Sequence, residues 1–161
     1  MGVAERSRDQ VEDKLGDLHE TYGSFSIKQT TITLPGEQYA SMRNGAEPAQ
    51  VSAYAAVRND DDDEILHVEG EREPELPGVE LPIDESLEPA ICEHVQQEAG
   101  VDCVVEDVQH VTIAGLRCRD DPDAATLYNL VVVFSGRHET GVPAESASWR
   151  QLDEQIQPAY A

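Results

Sequence analysis

The chain has 161 residues, which suits one domain around a single hydrophobic core. Its 33 Asp and Glu against 11 Lys and Arg leave a formal charge of -22, and with no basic stripe to interrupt the acid this argues against binding a nucleic-acid backbone. Hydrophobic residues still make up 39% and fall in periodic runs, the pattern of a folded domain and not of an acidic disordered chain.

So much like charge opposes compaction in dilute buffer, whereas molar salt shortens the Debye length to about 3 Å and removes the penalty. Lysine occurs only at positions 14 and 28, and the composition predicts a surface adapted to concentrated salt. A free nucleotide remains a possible ligand, because a divalent cation can bridge its phosphates to carboxylates. Cys92, Cys103 and Cys118 form no CxxC pair. With no signal peptide and no apolar run of spanning length, the expectation is a cytoplasmic protein with small buried thiols and no membrane association.

In chain order, Val11, Leu15, Leu18 and Tyr22 fall at helical spacing within residues 5–22, predicting an amphipathic helix that Gly23 ends. Residues 24–34 alternate around Phe25, Ile27 and Ile32, predicting a strand before the Pro35-Gly36 turn. A short helix is expected over 37–44 and a loop over 45–49. Residues 1–48 are therefore expected to form an N-terminal helix-strand extension packed on a main domain of residues 49–161.

Residues 51–58 and 64–69 read as paired strands joined by Asn59-Asp60-Asp61-Asp62-Asp63. That aspartate run reads as a solvated turn, since a calcium loop alternates its ligands around a central glycine. After a proline-rich loop at 73–78, residues 86–99 predict a helix with Leu87, Ala90, Ile91 and Val95 on one face. Ser86 is the expected cap, Pro89 is tolerated in the first turn, and Gly100 closes the helix. Strands are expected at 101–105, 109–118 and 126–135, with an acidic turn at 120–123. A closing turn at Trp149 and a short helix at 152–156 follow.

The run Leu76-Pro77-Gly78, Asp84-Glu85-Ser86, Ala90 and Glu93-His94-Val95-Gln96-Gln97-Glu98-Ala99-Gly100-Val101 resembles the Nudix box, G-x5-E-x7-R-E-U-x-E-E-x-G-U with U bulky and aliphatic. The paired strands before it, the run Leu130 to Phe134, and Glu145 with Trp149 resemble the family's flanking order. The extension resembles that of haloarchaeal Nudix-like proteins. The resemblance implies an α+β, Nudix-like α/β/α sandwich with a mixed sheet and the hydrolysis of nucleoside diphosphates linked to another moiety.

By the same resemblance, Glu98, His94 and Glu85 take the catalytic positions, Gly78 and Glu145 the substrate-binding ones, and Glu98, Gln97 and Glu145 the metal-ligating ones. The implied cofactor is Mg2+ or Mn2+ if the protein is active, and otherwise none. Carboxylates at i, i+3 and i+4 on one helical face hold the metal in the family, but His94 and Gln97 stand at two of those places here. Glu93 replaces the arginine that would pair with Glu85. These substitutions predict weak or lost hydrolysis, with a non-catalytic domain binding a nucleotide-like molecule or a protein as the alternative. A homodimer is also possible on this reading. Trp149 is assigned to packing, and His67, His110 and His138 carry no role.

Overall fold

The computed structural model describes residues 3–44, 50–61, 64–69 and 75–151. Helix α1 (Val3–Tyr22) leads into strand β1 (Ser26–Leu34), helix α2 (Gly36–Asn44), strands β2 (Gln50–Arg58), β3 (Glu64–Val68) and β4 (Gly78–Pro82), helix α3 (Leu87–Ala99), and strands β5 (Asp102–Cys118), β6 (Leu127–Thr140) and β7 (Ala147–Gln151). The seven strands form one mixed sheet in the order β1-β5-β6-β2-β3-β7, with β4 paired to β2. β1 runs parallel to β5 and β2 parallel to β6, while β5 and β6 are antiparallel.

The sheet centres on β6 because its run from Leu130 to Phe134 is apolar on both faces and no more than 1% exposed. A strand buried on both sides must be covered on both sides. On one face, Leu130, Val132 and Phe134 join Val11 and Leu18 of α1 and Leu87, Ile91, Val95 and Ala99 of α3 in the main core. On the other, α2 brings Tyr39 to Leu34, Leu116 and Leu127, and Leu76 packs with Ala56, Ile65 and Val133. This is the expected α+β arrangement with helices on both faces of a mixed sheet.

Several elements depart from the sequence expectation. The two strands predicted at 101–105 and 109–118 are one 17-residue strand, β5, with register shifts against β6 between Val105 and Asp107 and between Val108 and His110. There Asp107 Oδ1 accepts the N–H of Val108 at 2.8 Å, a local bond that interrupts the ladder without ending the strand. The end of the proline-rich loop becomes β4, since Gly78 to Pro82 pairs with Tyr54 to Gln50. Trp149 sits in a strand and not a turn, with β7 antiparallel to β3 and Trp149 opposite Leu66. Ser86 has extended geometry but its side chain makes no capping bond. The predicted helix at 152–156 lies outside the described residues, as do the loop at 45–49 and Asp62 and Asp63.

Gly100 ends α3 as expected, with φ 75° and its N–H bonded to the Gln96 carbonyl. The loop after β6 packs on that end, where Gly141, at φ 95°, leaves only 2.5 Å between an added Cβ and the Gly100 carbonyl oxygen. Gly141→Ala therefore meets both an unfavourable φ and an immovable backbone atom. We expect a loss of about 1–3 kcal/mol, read as a lower urea midpoint at unchanged slope.

Candidate functional site

Helix α3 positions most of the predicted site residues. With Leu87, Ile91, Val95 and Ala99 turned into the core, the 3.6-residue period leaves Glu93, His94, Gln97 and Glu98 toward solvent. His94 Nε2 lies in direct contact with Glu98 Oε2 one turn on, with side chains 27% and 35% exposed. Gln97 Nε2 donates to Glu93 Oε1 at 3.2 Å. Each residue of the row is thus engaged by a neighbour on its own helix, the i,i+4 pairing expected of a charged helical face.

Glu98 also lines a cavity of about 190 Å³ with Ser52, Tyr54, Gly78 and two further carboxylates, Glu75 and Glu80. Gly78 and Glu98, both predicted site residues, therefore meet at one hollow. Gly78 is fixed there by packing, because an added Cβ would stand 2.5 Å from the Tyr54 ring. Glu145 is exposed in a loop that docks on the end of α3: Ala144 N–H bonds the Ala99 carbonyl at 2.7 Å, and Ser146 Oγ donates to the Glu98 carbonyl at 3.3 Å. Glu85 stands apart in the turn ahead of α3, where its carbonyl accepts from Lys14 Nζ at 2.7 Å. From Leu87 to Glu98 the helix rises roughly 17 Å at 1.5 Å per residue.

Magnesium needs several hard oxygen ligands in near-octahedral array, and the residues present do not fit it. Among the described residues no group of three His, Cys, Asp or Glu side chains converges closely enough to hold a metal ion. His94 and Glu98 face each other, and Gln97 supplies a neutral amide already turned to Glu93.

Two features near the site carry no sequence signal. Cys92 on α3 and Cys103 on β5 are eleven positions apart in the chain, yet Cys103 Sγ lies 3.9 Å from Cys92 Sγ. Both are free thiols. His138, given no role from sequence, has Nδ1 3.3 Å from Asp60 Oδ1 and donates from Nε2 to the Gly141 carbonyl at 2.7 Å, while its ring meets Trp149 edge-on. It ties the β2–β3 turn to the loop under α3.

No protein-family model and no curated protein matches the chain. Among solved structures, a UDP-X diphosphatase aligns over 94% of this chain and 72% of its own at TM-score 0.50 and 15% identity. A NUDIX hydrolase from Nitrosomonas europaea aligns over 69% of this chain and 82% of its own, at 0.48 and 23%. An ADP-ribose pyrophosphatase from Streptococcus suis 89-1591 aligns over 69% and 80%, at 0.46 and 18%. The chain spans only 36% of a matching protein from Sinorhizobium meliloti 1021, at 0.48 and 11%. These are likenesses of fold. The fold is α+β and Nudix-like, and no helix among the described residues is long and apolar enough to cross a membrane.

Burial pushes the Cys103 thiol up to about 12 and, more than any other cause, raises Cys92 as well. Burial and the contact with Glu88 raise the Tyr22 phenol. A group whose folded pKa is raised contributes stability below its unfolded value and loses it as pH climbs through the folded one. The contribution of Cys103 is therefore whole below about pH 9 and falls away toward pH 12. Thermal melts from neutral to strongly alkaline pH should show the wild type losing stability more steeply above pH 9 than Cys103→Ala; parallel curves would remove Cys103 from the alkaline transition.

Proposed function

We propose that this chain is a Nudix-superfamily domain, derived from hydrolases of nucleoside diphosphates linked to another moiety, in which diphosphate hydrolysis is weak or lost. What remains is the binding of a nucleotide-like small molecule. The observation that carries this reading is the contact between His94 and Glu98, which occupies the one carboxylate left in the metal row. A carboxylate held by imidazole on one side is a poor ligand for a hard cation unless the pair opens first. Glu93, where the family has arginine, removes the cation that would orient Glu85.

The activities for which the UDP-X diphosphatase and the ADP-ribose pyrophosphatase are named suggest which compounds to try first, namely UDP-sugars and ADP-ribose. One observation favours a second reading, an active hydrolase with a rearranged site. Glu75 and Glu80 line the cavity beside Glu98, so three carboxylates border one hollow. The two readings differ in their response to magnesium.

On the first reading, wild-type protein in molar KCl shows little change in melting temperature with magnesium and no turnover of UDP-glucose or ADP-ribose. His94→Glu with Gln97→Glu restores three carboxylates at i, i+3 and i+4. That double variant should gain a magnesium-dependent rise in melting temperature, corresponding to about 2.7 kcal/mol at a hundredfold excess of cation over Kd. Magnesium-dependent turnover by the wild type that disappears in Glu98→Gln would replace the first reading with the second.

A further inference from the structure

The sheet ends on one side at β1, which pairs with β5 along nine consecutive residues without a register shift. Among the described residues no strand lies on its other side. Ser26 to Gln29, Thr31 and Thr33 are all exposed, and Ile27 is 45% exposed, one of few large apolar side chains so placed. Folded proteins usually blunt such an edge with a proline, a bulge, inward charges or brevity. Of these devices, and of the charged edge side chains that serve the same end, β1 carries only the exposed Lys28, while Pro35 falls after the strand.

The charge distribution singles out the same strand. From Thr21 to Gly36 there are 16 residues without an Asp or Glu, the longest such run in the chain. The next, residues 124–138, has 15 and is mostly the buried strand β6, where acid is excluded by burial. Burial cannot account for the exposed β1. A surface carrying a net charge of -22 has nevertheless kept acid off this edge.

We propose that β1 is the contact edge of a homodimer, in which two copies pair their β1 strands antiparallel across a two-fold axis and join the two sheets into one. A second copy fits because the strand is self-complementary. With the axis at Thr30, Ser26 opposes Leu34, Ile27 opposes Thr33, Lys28 opposes Ile32 and Gln29 opposes Thr31, so no like charges face each other. The free N–H and C=O groups of the edge become mutual partners, and an isologous contact of this kind closes after two copies. The two bodies repel through the rest of their surfaces, so association tightens as salt is added.

Sedimentation velocity over a concentration series, in dilute and in molar KCl, tests this directly. The expected result is a reversible dimer that binds more tightly in molar KCl. Ile27→Asp with Thr31→Asp changes two exposed side chains, so the variant should keep the wild-type circular dichroism and, at dilutions where both proteins are monomeric, the wild-type melting temperature, while its dimer in molar KCl weakens at least tenfold. Hydrogen exchange at the amides of residues 26–34 should slow on dimerisation in the wild type. A monomer at every concentration, a dimer of undiminished strength in the double variant, or exchange in β1 that ignores association would each overturn the proposal.

Discussion

The burial of β6 is the constraint from which the rest of the architecture follows. Five consecutive apolar residues, Leu130 to Phe134, point alternately to the two faces of the sheet and reach no water on either. Flanking strands alone cannot achieve this, because they shield the edges of a strand and leave its faces open. α1 and α3 are required on one face, and α2 with the segment around Leu76 on the other. The residues ahead of β2 thus contribute to the central packing: Val11 and Leu18 reach the same cluster as Phe134, and the Tyr128 N–H bonds Ser7 Oγ at 3.1 Å.

That demand also fixes the orientation of α3. Four apolar side chains at positions 87, 91, 95 and 99 hold the helix against β5, β2 and β4, so the outward row at 93, 94, 97 and 98 is set by periodicity. Its chemistry is then a matter of side-chain identity alone. A helix with this orientation carrying three carboxylates would point them at a common cation; the same helix with His94 and Gln97 pairs its own residues instead. The core does not depend on the outward row, since none of its four residues belongs to the apolar clusters. A Nudix-like architecture and an outward row of this composition are compatible, and the fold alone says nothing about turnover.

The elements that periodicity and end signals mark were legible from sequence. α3 was bounded by Ser86 and Gly100, and α1 by its spacing of Val11, Leu15 and Leu18 with Gly23 beyond. The β2–β3 pairing followed from two apolar runs around a polar turn. Less legible were features set by distant partners. β5 looked broken because Glu106 and Asp107 interrupt its alternation, and only pairing with β6 makes that interruption a bulge. β4 is a short, half-buried strand whose identity comes from β2. At the site, Gly78 and Glu98 were both read from the box pattern and do share a cavity, but Glu75 and Glu80 had no motif to mark them. The Cys92–Cys103 approach joins a helix to a strand and has no local signature.

The cavity beside Glu98 gives the acidic composition a local consequence. A diphosphate entering it meets Glu75, Glu80 and Glu98 with no arginine among the lining residues, and unscreened like charges oppose one another by about 1 kcal/mol per pair even at 4 Å in water. Concentrated salt weakens that opposition between exposed groups but supplies no specific contact. Recognition of a nucleotide here has to come from its less charged portions, through the Tyr54 ring, the Ser52 hydroxyl and backbone groups of β4, or else from a cation that the ligand brings with it. The first route leaves the phosphates toward solvent and unactivated; the second carries its own counter-charge and needs no preformed metal centre. On the proposed reading, selectivity would in either case lie in the shape and hydrogen bonding of the hollow, and the phosphate chemistry would depend on what accompanies the ligand.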